Sequence, residues 1–111
     1  MNKFRLRPAY GSKELLIEFT SGPEKENFIS TLGKALNSIN VKIIGSKDLW
    51  VNDELLFEAN SDLGTFSISI DTWSLAFITS KENQIVISEI DSILNENKYF
   101  EKEAVNFEDY K

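Results

Sequence analysis

The sequence predicts an α+β domain in which a mainly antiparallel sheet of five to six strands carries two helices packed on one face. Period-two alternation of apolar and polar residues recurs in consecutive segments joined by short turns, the pattern of antiparallel strands. Two other stretches switch to helical spacing, and such amphipathic helices can bury their apolar stripe only against the sheet. A length of 111 residues suits one hydrophobic core, so 1–111 is read as a single domain.

Phe4 and Leu6 alternate with Lys3, Arg5 and Arg7 in a short strand that Pro8 ends. Tyr10-Gly11-Ser12 turns the chain into a second strand, Glu14–Thr20, with Leu15, Ile17 and Phe19 on one face and Glu14, Leu16 and Glu18 on the other. Ser21-Gly22-Pro23-Glu24 reads as a helix start, with Ser21 capping and Glu24 reaching back. Phe28, Ile29, Leu32, Ala35, Leu36 and Ile39 then form one stripe that ends near Asn40. Val41–Gly45 returns as a strand and Gly45-Ser46-Lys47-Asp48 looks like a turn.

Glu54–Ala59 fits either period, but the turn residues Asn60–Gly64 behind it favour a strand. Phe66, Ile68 and Ile70 alternate strictly with Thr65, Ser67, Ser69 and Asp71, the clearest half-buried strand in the chain. Trp73, Leu75 and Phe77 make the returning arm of a hairpin around Asp71-Thr72. Ser80 can cap a second helix over Lys81–Asn97 with Val86, Ile90, Ile93 and Leu94 as its stripe, and Tyr99–Lys111 follows as a short strand or a docked tail. The helices cover one face of this sheet, and the other is at least partly open.

With 41% hydrophobic residues against 27% charged, the chain has enough apolar surface to offset the entropy of ordering it. No signal-peptide core and no membrane-length apolar run is present, so a soluble cytoplasmic protein is expected. The absence of cysteine removes disulfides, zinc thiolates and thiol nucleophiles; the absence of histidine removes the commonest general base and metal ligand.

Charge is unevenly spread. Residues 1–47 have eight Lys/Arg against four acids, a net +4, whereas residues 48–111 have four against fourteen, a net −10. An anionic field repels phosphate backbones and steers basic protein surfaces, so a basic protein partner is expected rather than direct nucleic-acid or membrane binding. The plainer reading of the same charge is a surface that keeps the protein soluble.

Chemistry finds little support. Asp53, Glu54, Glu58 and Asp62 form the densest acidic run, but adjacent strand residues point to opposite faces, so Asp53 and Glu54 cannot easily converge for acid–base or metal work. Glu58–Gly64 fails as a calcium loop because its glycine falls one place late and Ser69 stands where a bidentate Glu is needed. Gly22, Gly33, Gly45 and Gly64 have no phosphate-loop spacing. No catalysis, cofactor, metal or small-molecule substrate is expected. Trp50 and Trp73, each near acids, fit core packing or the rim of an interface.

The segments Tyr10–Phe19, Ser21-Gly22-Pro23-Glu24 with its helix, Ser61-Asp62-Leu63-Gly64, Asp71-Thr72-Trp73 and Phe100–Tyr110 together resemble the small acidic immunity proteins of bacterial toxin–immunity systems. That class includes the partners of contact-dependent growth inhibition toxins and of polymorphic toxins. The resemblance implies tight one-to-one binding of a cognate toxin domain, often a nuclease, that blocks its active site. Charge and strand alternation nominate Asp53, Glu58, Asp62 and Asp71 as partner-binding residues, with Trp50 and Trp73 as anchors. The alternatives are a protein-interaction or adaptor domain unrelated to toxins, and an enzyme or small-ligand binder that uses carboxylates.

Overall fold

In the computed structural model, which describes residues 2–49, 54–71 and 75–110 (residues 47–49 by backbone only), the chain runs through seven strands and two helices. The strands are β1 (Asn2–Pro8), β2 (Leu15–Ser21), β3 (Lys42–Leu49), β4 (Glu54–Ser61), β5 (Gly64–Asp71), β6 (Ala76–Thr79) and β7 (Phe100–Lys102). Helix α1 (Phe28–Ala35) follows β2, helix α2 (Gln84–Glu96) follows β6, and short 3-10 turns occupy Asn37–Ile39 and Phe107–Tyr110. All strands join one sheet in the order β3-β4-β5-β6-β2-β1-β7.

Every neighbouring pair is antiparallel except β1 and β7, which run parallel. The expected antiparallel sheet of five to six strands is thereby corrected to a mixed sheet of seven. The extra strand comes from the tail: Phe100 reaches the β1 edge, and its side chain is buried there against the ring of Phe4.

Register turns the alternation into two continuous surfaces. On one face Phe57, Ile68, Ile78, Ile17 and Leu6 lie in a row across β4, β5, β6, β2 and β1. Beside it runs a second row, Leu55, Ile70, Ala76, Phe19 and Phe4. Phe28, Leu32 and Leu36 from the α1 region and Val86, Ile87, Ile90 and Leu94 from α2 complete this single core. Phe19 sits at its centre, fully buried, with the Phe28 ring edge-on at 5.0 Å. Both helices thus cover the same face, and among the described residues no helix is long and apolar enough to cross a membrane.

The helix boundaries differ from expectation because their presumed caps are used elsewhere. Ser21 is the last residue of β2, opposite Lys3, so α1 begins only at Phe28; Glu24 still reaches back, but to the Gly22 amide at 2.9 Å. Ser80 donates to the Thr65 carbonyl, and α2 starts at Gln84, whose side chain bridges to both backbone atoms of Leu15. The expected turn at Gly45–Asp48 is instead the continuation of β3, paired residue by residue with β4 after a bulge between Ile43 and Gly45. A bulge inserts one residue without ending the ladder, which is why a glycine and a serine there mimic a turn.

The β4–β5 hairpin turns on Asp62-Leu63 between paired Ser61 and Gly64. Gly64 takes φ +117°, and a methyl group there would collide with the Asn83 side chain, which donates to the Leu63 carbonyl.

Phe19→Ala is expected to lower stability by about 3–5 kcal/mol, read as a shifted urea midpoint at constant slope. Ile85→Ala, at a side chain 72% exposed on α2, should change it by less than about 0.5 kcal/mol. Amides of its own residue and of Gly22 hold the Glu24 carboxyl below the usual glutamate range. Its contribution is therefore complete at neutral pH and is lost as pH falls through that lowered value. Glu24→Gln should lower stability at neutral pH, with the gap to the parent protein closing on acidification.

Candidate functional site: the uncovered sheet face

Alternation sends a second set of side chains to the face that the helices leave bare. Leu56, Ser69, Phe77, Glu18 and Arg5 form one row across it, and Glu58, Ser67 and Thr79 another. The two ends of this face differ in charge and in cover.

At the β1–β2 end the face is basic and roofed. Arg7 is 7% exposed although it lies on the outer side, because the C-terminal segment folds back over it. Its guanidinium carbon lies 4.8 Å from the Tyr110 ring centre, 5.3 Å from Tyr10 and 5.7 Å from Phe77. The Gly11 amide fastens this roof by donating to the Tyr110 carbonyl at 2.9 Å. A guanidinium so enclosed needs a counter-charge, and Arg7 Nε donates to Glu18 Oε1 at 3.1 Å while Nη1 donates to the Pro8 carbonyl. Arg5 Nε approaches the same oxygen at 3.0 Å, an ion pair by distance without hydrogen-bond alignment. One carboxylate thus serves two arginines, and the charge of this end is partly offset within the fold.

At the β4–β6 end the face is acidic and open. Residues 48–79 hold six acids and no lysine or arginine. Register places Glu54 directly opposite Asp71, and Glu58 opposite Ser67, all on the uncovered side. Like charges facing each other across strands destabilise a sheet, so the Glu54–Asp71 pairing is a local cost in the isolated protein. The Ser67 hydroxyl donates to both Glu58 oxygens, at 3.1 and 3.2 Å. Glu58 also borders a shallow polar groove of about 280 Å³ with Thr65, Thr79, Lys81 and Glu82.

The nominated residues therefore divide. Glu58 and Asp71 lie on the acidic face, where Asp71 also accepts from the Leu75 amide at 3.0 Å and so shapes its own hairpin. Asp62 lies at the β4–β5 turn, away from that face. Its carboxylate accepts from Asn40 at 2.7 Å and its amide donates to the Ile39 carbonyl, tying the turn to the end of the first helical segment. Trp50, Asp53 and Trp73 lie outside the described residues. Glu54 belongs to the acidic face by register, and the strand period alone could have nominated it. The Arg7 cage joins residues more than a hundred positions apart, and Tyr110 is its only contribution from the tail.

Glu54 and Glu58 are four residues apart on one strand, roughly 13 Å along it, too far for a hydrolytic carboxylate pair. Among the described residues no three acids gather in a way that could hold a metal ion. Comparison with known proteins gives no matching family model, no matching curated protein and no matching solved structure.

Glu18→Ala leaves the enclosed Arg7 without its counter-charge and should cost about 3 kcal/mol or more in urea unfolding. Asp62→Ala, which removes one exposed hydrogen bond to Asn40, should cost about 1 kcal/mol or less.

Proposed function

We propose that this protein is an immunity protein that neutralises a cognate toxin domain, a nuclease with a basic active-site cleft, by one-to-one binding without catalysis. The observation that carries the reading is the acidic end of the uncovered face. Six acids fall in residues 48–79 without a base among them, and Glu54, Glu58 and Asp71 converge there by register. None of the three ion pairs among the described residues involves Glu54, Glu58 or Asp62. A lysine or arginine of a partner would be attracted to Glu54 and Glu58, which stand on one strand of this face.

The same logic explains why the basic end is roofed. Pairing Arg7 with Glu18 under Tyr110 removes one cation from the surface and leaves the acids of β4 and β5 as the larger charge at the other end. Such a surface occupies the place of a phosphate backbone in a basic cleft and so excludes substrate. Partly exposed Leu56 and Phe77, between the acids and the roof, supply the apolar contact that a tight interface needs beside charge. The cytoplasm, where an incoming toxin would act, is the compartment this function requires.

The test is co-purification with a toxin domain encoded beside its gene, which should give an equimolar complex lacking nuclease activity. Free nuclease activity in the presence of excess protein, or a gene neighbourhood without any toxin, removes the proposal. Within a complex, the double variant Glu54→Lys, Glu58→Lys should slow association about ten-fold or more at low salt and flatten its ionic-strength dependence. Association kinetics identical to the parent protein at every salt concentration would exclude this face as the docking surface.

A further inference from the structure

The sheet has two borders, and they differ. One is β7, three residues long; the other is β3, eight residues long and free of proline, which among the described residues is bonded to β4 alone. In an antiparallel ladder every second residue of a border strand turns both its amide and its carbonyl outward, so β3 holds out a row of unused backbone donors and acceptors. After the bulge, Gly45–Leu49 keeps unbroken register with Glu58–Glu54, so this part of the border is a regular template. The side chains along Lys42–Ser46 are exposed, Ile44 at 63% and Ile43 at 44%.

The flanks of this border show what kind of strand fits it. On the uncovered side Gly45 stands opposite Glu58, and a side chain placed at Gly45 would meet nothing within 4 Å. The row of Glu58, Ser67 and Thr79 therefore begins at the border with a gap. A strand laid beside β3 would run about 10 Å from β4, a span that a lysine or arginine can close over the glycine to meet the Glu58 carboxylate. Glu54, opposite Leu49, continues the same negative margin. On the helix side Ile43 stands opposite buried Ala59 and, with Ile29, Leu32 and Leu36, borders an apolar crevice of about 50 Å³. Lys42 and the bulge between Ile43 and Gly45 are devices that discourage a border strand from pairing with whatever strand is at hand, a second copy of the chain included.

We propose that a strand of the toxin domain adds to β3 as an eighth strand of the sheet, its basic side chains turned to Glu58 and its apolar ones to Ile43 and the crevice beside α1. This inference rests on the immunity reading above and adds to it a docking mode. Main-chain bonds along β3 supply affinity, and the alternating side chains supply the choice of partner.

The experiment uses the full chain and the toxin domain encoded beside its gene, and measures amide hydrogen exchange of β3 in the free and bound states together with affinity. On binding, alternate amides between Ile43 and Leu49 should exchange about ten-fold or more slowly, while those already bonded to β4 change less. Gly45→Lys fills the gap and gives Glu58 a cation from its own chain; it should weaken the complex about ten-fold or more and leave the free protein folded, since the site is open. Gly45→Ala, whose methyl group is too short to reach Glu58, should bind within about two-fold of the parent protein. An equimolar, inactive complex in which β3 exchange is unchanged, or which Gly45→Lys leaves equally tight, overturns this docking mode and leaves the immunity reading standing. Protection of β3 in the free chain that rises with protein concentration means that a second copy covers the border, and overturns it as well. Absence of any complex removes both readings together.

Discussion

The fold rests on the period-two alternation of β5 and its neighbours, which commits one face of the sheet to apolar side chains from β4 to β1. Once Ile68, Ile78 and Ile17 stand in a row, water must be kept from them, and only α1 and α2 have apolar stripes to do it. Both helices are thereby drawn to the same side. Everything distinctive about the opposite face, its charge and its partial cover, follows from its having been left over.

That leftover face is divided by the tail. A seven-stranded sheet with one bare side would expose both the arginines of β1 and the acids of β4 and β5. The return of the chain through β7 to Tyr110 shields Arg7 and leaves the acids of β4 and β5 uncovered by it. Arg7 shows how costly a partly buried cation would be without provision: it is met by a carboxylate, a carbonyl and three aromatic faces. Glu54 and Glu58 of β4 enter none of the ion pairs among the described residues.

Much of this was legible in the sequence, and the remainder is instructive. The strand–helix order, the buried stripe of α2 and the strictly alternating β5 were all readable because each is a local pattern with a strong period. Helix starts were misplaced because Ser21 and Ser80 look like caps, yet their hydroxyls and backbones are engaged by the sheet, a tertiary demand invisible to a local motif. Gly45-Ser46 looked like a turn and is a bulged strand, since both uses favour small residues. The parallel β1–β7 pairing and the Arg7 cage join residues about a hundred positions apart, and no window-based reading brings such positions together. Of the acidic residues, strand parity assigned Glu58 and Asp71 to the uncovered face. Asp62 escaped that rule because turn residues have no parity to follow.

The parallel ladder between β1 and β7 has a consequence for assembly. Asn2, Lys3 and Phe4 pair with Phe100, Glu101 and Lys102, so β1 acquires its outer neighbour only after the five strands and two helices between them have been made. Closing so large a loop is entropically slow, and until then that border of the sheet is open to any extended segment nearby. The outer edge of β1 is thus an open template until β7 arrives to cover it.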